Sequence, residues 1–180
     1  MKIYFRILSI TVVLFLLSAG CEDILSDLLT FDSDYYIINF AVDPIDKTGY
    51  HIFSEEIAKS DLDSLLEANG LSKEKLEEVH VKEAVLKITD SDASITFDPL
   101  EKISVTIYTE ELKEKTIVSI DHIPDGSREL EPVLDEDDIK DYLFEDEFIL
   151  SAIGVLEERT YITISVQAKV KFEFRAGLKE

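Results

Sequence analysis

The sharpest pattern in the chain is a strict alternation over residues 161–175. Ile162, Ile164, Val166, Ala168, Val170, Phe172 and Phe174 fall on one side; Tyr161, Thr163, Ser165, Gln167, Lys169, Lys171, Glu173 and Arg175 fall on the other. A period of two sustained over this length predicts a long strand with one buried and one wet face. A slip of one residue would bury Lys169 and Lys171, so its register is fixed. Residues 100–108 repeat the pattern, with Ile103, Val105 and Ile107 opposed to Ser104, Thr106 and Tyr108. Further strands are expected over residues 35–42, 50–53, 81–89, 94–97, 115–123 and 147–155. An edge strand is expected over residues 129–134, where Pro132 cannot donate to a ladder. Asp90-Ser91-Asp92 and Pro124-Asp125-Gly126 read as turns.

A few segments follow a helical period instead. Over residues 60–69, Leu62, Leu65 and Leu66 share one face, Ser60 stands at the cap position and Gly70 follows as the stop. A second short helix is expected from Ser72, with Leu71, Leu76 and Val79 inward. A third is expected over residues 135–144, with Ile139, Tyr142 and Leu143 inward and acids in its first turn. One-sided strands in this number predict a mainly β fold, an antiparallel β-sandwich of about seven to eight strands with two or three short helices. The alternative is a single curved sheet with helices on one face.

The first residues break with this pattern. Lys2 and Arg6 precede a largely apolar run from Ile7 to Leu17, followed by Ser18, Ala19, Gly20 and Cys21. Charge, apolar core and small residues are the layout of a secretory signal. Eleven residues of helix span about 17 Å, short of the ~30 Å hydrocarbon core. Leu17-Ser18-Ala19-Gly20-Cys21 resembles the lipobox of bacterial lipoproteins, with Ser18 where the usual pattern prefers Leu, Val or Ile. That resemblance implies cleavage before Cys21 by signal peptidase II and attachment of diacylglycerol to the Cys21 thiol. Cys21 is the one cysteine of the chain, so no intrachain disulfide and no Cys-rich zinc site is expected.

The lipobox, the Gly70-Leu71-Ser72 helix start and the strand ladder together resemble uncharacterised Bacteroidota lipoproteins of the envelope and cell surface. The resemblance assigns no catalytic residues. It implies a signal peptide over residues 1–20, a lipidated and acidic tether over 21–34, and a single domain over 35–180. It also implies a bacterial outer-membrane location. Glu22 and Asp23 after the cysteine look like the surface-export signal of such proteins, which favours the cell surface over the periplasmic face.

Charge narrows the function further. Lys and Arg number 18 against 39 Asp and Glu, a formal net of −21. Removal of Lys2 and Arg6 with the signal leaves 16 basic residues and a net of −23. Phosphate backbones are bound by neutralising them with Lys and Arg, so a nucleic-acid partner is excluded as an expectation. Membrane association should rest on the lipid alone, since the charge repels anionic headgroups.

Candidate chemistry is sparse. His51, His80 and His122 show no metal-ligand spacing, and no nucleophile elbow, P-loop or dinucleotide fingerprint occurs. A non-enzymatic protein without a cofactor is therefore expected. The acidic run offers Asp135, Asp137, Asp138 and Asp141 as oxygen ligands for weak Ca²⁺ binding, although Ile139 and Lys140 break the EF-hand pattern. Tyr108 and Tyr161 are the aromatic candidates for a ligand, being placed on wet faces. The main expectation is a lipid-anchored protein that binds a protein partner in envelope or surface assembly. The alternatives are a surface ligand-binding module, for glycan or another small ligand, and a Ca²⁺-dependent adhesion or structural module.

Overall fold

The computed structural model describes residues 29–177. The expected signal peptide, Cys21 and the part of the expected tether up to residue 28 lie outside the described residues.

Among the described residues, ten strands form two antiparallel sheets, and two short helices accompany them. The first sheet holds β1 (Thr30–Asp32), β2 (Tyr36–Val42), β4 (Leu76–Ile88), β7 (Glu129–Leu130) and β10 (Ile164–Ala176). β10 is its spine, pairing with β1 and β2 on one side and β4 on the other. The second sheet runs in the order β3 (Gly49–Lys59), β9 (Glu147–Leu156), β5 (Leu100–Tyr108), β6 (Lys115–Ile120), β8 (Val133–Leu134). This is the expected sandwich; the single curved sheet is not what the chain forms.

The inner faces carry most of the side chains that alternation assigned to them; the exception is Ile162, which is exposed in the loop before β10, since that strand starts at Ile164 rather than at residue 161. Ile164, Val166, Ala168, Val170, Phe172 and Phe174 are all buried, as are Ile103, Val105 and Ile107 from the facing sheet. Each fully buried large apolar side chain contributes about 1.5–3 kcal/mol. Tyr36, Phe148 and Phe172 form an aromatic cluster near one end of the core, with Tyr36 and Phe148 edge-on at 5.3 Å.

Helix α1 (Leu62–Ala68) closes that end with Leu62 and Leu66. The Tyr36 hydroxyl donates to Asp61 Oδ1 at 2.5 Å just before the helix. Burial and this hydrogen bond push the Tyr36 phenol well above its ordinary pKa. Ser60 Oγ donates to the carbonyl of Leu143, which joins α1 to helix α2 (Lys140–Leu143). Gly70 ends α1 in the left-handed region at φ +67°, as its position predicts.

Six elements depart from expectation. Of the helix expected over 135–144 only Lys140–Leu143 forms, and the strand expected over 50–53 runs on to Lys59. The second helix is only a 3₁₀ turn at Lys73–Lys75, and β4 starts at Leu76. Its start pairs Val79 with Phe174 and Leu76 with Ala176, so cross-strand partners override a helical spacing that was equally compatible. Residues 94–97 form a loop rather than a strand. The Arg128 guanidinium holds that loop by donating to the carbonyls of Asp90, Asp92 and Ile95, each at 2.5 Å. The edge strand over 129–134 splits at Pro132 into β7 and β8, which belong to different sheets. Residues 30–32, read as tether, pair with Glu173–Arg175 as β1.

Candidate docking face

The second sheet turns one face outward, and its cross-strand register shows what that face displays. Directly opposed residues share a face. Tyr50 opposes Val155, Ile52 opposes Ile153, and Ile57 opposes Ile149. The Ile52 row continues through Ser104 and Ser119 to Val133 on the far strand. Small or hydroxylated residues, Ser104, Thr106 and Ser151, occupy the middle of the face. The bulky apolar side chains therefore gather along β3 and β9.

Those on β3 are open to solvent, while Ile149, Ile153 and Val155 on β9 are half-buried. Ile57 is 69% exposed, Tyr50 60% and Ile52 57%. β3 is an edge strand: it pairs with β9 on one side, and among the described residues no strand pairs with its other side. None of its eleven residues is buried. A long edge with exposed isoleucines is what sheet proteins ordinarily avoid by shortening, charging or covering it. β3 has a bulge between Ile52 and Ser54 and carries Glu55, Glu56 and Lys59, yet its apolar side chains remain open.

Tyr108, one of the two tyrosine candidates, belongs to this face. It stands opposite Ile149, and its hydroxyl reaches across β9 to donate to Glu55 Oε1 at 2.6 Å. The hydrogen bond to the Glu55 carboxylate, with a smaller contribution from burial, pushes its pKa up to about 12. Tyr161 is elsewhere. It is 78% exposed on the loop between β9 and β10, at the opposite end of the sheet from Tyr108. The structure does not bring the two tyrosines to one site.

Where the end of β3 meets the start of β9 and the loop after β5, the face opens into a cleft of about 660 Å³. Ile57 and Ile149 form its apolar side. Glu110, Glu111, Glu145, Asp146 and Glu147 form its polar side, with Lys59 as the one cation lining it. Neither tyrosine candidate lines it. A smaller cavity of about 260 Å³ lies on the outer face of the other sheet, among Tyr35, Glu83, Lys87 and Lys169.

The four acids expected to offer Ca²⁺ ligands do not converge on one point. Asp137 pairs with Lys115 at 2.7 Å, which holds its carboxyl below the usual range. Asp135 Oδ1 accepts the Asp137 backbone N–H at 2.8 Å. Asp138 Oδ1 accepts the N–H groups of Val79 and Lys140, tying the start of α2 to β4. Asp141 is exposed in the first turn of α2. Among the described residues no three Asp, Glu, His or Cys side chains are grouped so as to hold a metal ion. The histidines are likewise dispersed: His51 contacts the Lys47 carbonyl, His80 contacts Glu78, and His122 lies on the loop after β6.

No helix among the described residues is long and apolar enough to cross a membrane. The sequence matches no protein-family model and no curated protein.

Proposed function

We propose that this chain is a non-enzymatic, lipid-anchored protein of the bacterial outer membrane that docks a protein partner in envelope or surface assembly. The observation that carries this reading is the row of exposed apolar side chains on β3, Tyr50, Ile52 and Ile57, continued by Ile153 and Ile149. Contiguous exposed apolar surface rimmed by polar groups marks interaction sites. The dispersal of the histidines and of the acidic run favours docking over catalysis or Ca²⁺-dependent adhesion. The separation of Tyr108 from Tyr161 favours it over a sugar-stacking platform.

Anchoring rests on Cys21 and the segment before it. One acyl chain holds a protein only marginally, whereas two or more chains, at ~0.8 kcal/mol per buried CH₂, hold it stably. Cys21→Ala should move the protein from the membrane to the soluble fraction; unchanged membrane association would refute the anchor. Protease treatment of intact cells, with a periplasmic protein as leakage control, assigns the face. Rapid loss of the domain is expected for surface display, and protection until lysis would place it on the periplasmic side.

A further inference from the structure

Several acids on this surface are answered by nearby cations. On the outer face of the first sheet, Asp32 lies 2.8 Å from Lys82 and 3.1 Å from Lys171. Glu129 pairs with Lys87, Asp63 with Lys73, and Asp135 and Asp137 with Lys115. The cleft at the end of β3 is different. Glu110, Glu111, Glu145, Asp146 and Glu147 are all exposed, and among the described residues none of them forms an ion pair. Five like charges around one open cleft focus a negative potential there.

The cleft spans the C-terminal end of β3, the start of β9 and the loop after β5. Ile57 and Lys59 line it, Lys59 stands opposite Glu147 in the β3–β9 ladder, and the Ser60 N–H donates to the Asp146 carbonyl. Three features therefore lie close together at β3: an eleven-residue edge that no described strand pairs, apolar side chains on its outer face, and, near its C-terminal end, five carboxylates that form no ion pair among the described residues. An added strand satisfies the first two by main-chain pairing and alternate side-chain contacts. The third selects its charge.

We infer that the partner presents an extended, cationic segment that adds as a strand along the free edge of β3. Antiparallel addition, the slightly more stable mode, puts the N-terminal end of that segment beside Lys59 and the cleft. Its Lys or Arg side chains therefore lie near that N-terminal end. A second copy of this chain is a poor occupant. It would bring a net charge of −21 against −21 and oppose two strands that each carry Glu55 and Glu56. This inference rests on the docking reading above and specifies the partner.

The test uses the full-length protein in detergent and synthetic peptides of alternating valine and threonine. One carries two arginines at its N-terminal end, one carries two glutamates there, and one is the arginine peptide with alternate backbone nitrogens methylated. With two exposed charge pairs gained, the arginine peptide should bind about tenfold tighter than the glutamate peptide. The preference should shrink at 1 M salt, where the Debye length is about 3 Å. Binding should slow hydrogen exchange of β3 amides, and the methylated peptide should not bind.

Charge specificity is checked by neutralising the cleft with Glu110→Gln, Glu111→Gln, Glu145→Gln, Asp146→Asn and Glu147→Gln. The control removes the same charge elsewhere with Glu131→Gln, Glu136→Gln, Asp141→Asn, Glu157→Gln and Glu158→Gln. Only the first set should abolish the arginine preference. Equal loss from both sets, equal binding of arginine and glutamate peptides, or a β3-mediated dimer of the chain by itself would each overturn the inference. Photocrosslinking from Ile57 in intact cells separates two kinds of failure. An adduct formed there without any preference for the cationic peptide overturns this inference alone, whereas no adduct from this face removes the docking reading as well.

Discussion

At the scale of single residues, two positions show how closely the sheets are fitted. Gly154 on β9 lies under the Phe53 ring. A Cβ there would stand 2.7 Å from Phe53 Cε2 and 2.7 Å from the Lys102 carbonyl oxygen. The ring can move, but the backbone carbonyl cannot move without disturbing the β5–β9 ladder. Gly154→Ala should therefore cost about 1–3 kcal/mol in chemical unfolding, as overpacking of a core does. Phe172→Ala, which empties the aromatic cluster with Tyr36 and Phe148, should cost about 3–5 kcal/mol. Asp32 gives the acid behaviour. Partial burial alone would raise its pKa, but hydrogen bonds from Lys82 and Lys171 outweigh that and hold it below the usual carboxylate value. A depressed folded-state pKa means that its stabilisation is present above the unfolded value of 3.8 and is lost as pH falls through the lower folded one. The stability difference between the wild type and Asp32→Asn should be present at pH 7 and shrink below pH 3.8.

At the scale of elements, legibility followed the regularity of the ladder. β5 matches its expected bounds, and β10 keeps its alternating inner face because one side of it is buried along its whole length. β3 was readable only to Phe53. The bulge between Ile52 and Ser54 shifts the parity, so Ile52 and Ile57 share a face although their spacing is odd. The start of β4 was misread because Leu76 and Val79, three apart, fit a helical face as well as two strand positions. Only its distant partner β10 decides between them. The docking face was hidden for a related reason. Nothing local says that β3 is an edge, because that follows from sheet order, set by pairings up to a hundred residues away. The signal within reach was the density of large apolar residues on a strand flanked by acids. Ile52→Asp and Ile57→Asp, both at exposed positions, should leave unfolding stability within about 0.5 kcal/mol of wild type. The same changes should abolish partner binding, as read by crosslinking or peptide titration.

At the scale of the whole molecule, two properties are combined: a lipid tether proposed at Cys21 and a sandwich whose uncompensated charge and open apolar edge lie together. On the proposed reading, net charge would keep the domain off anionic lipid and off other copies of itself and leave the β3 face to a cationic partner. The most direct test of this account is photocrosslinking in intact cells, with a photoreactive residue at Ile57 on the β3 face or at Lys169 on the outer face of the opposite sheet. The account predicts a discrete adduct of higher mass from Ile57, absent from Lys169 and lost when the five cleft acids are neutralised. No adduct from Ile57, or the same adducts from both positions, would contradict it.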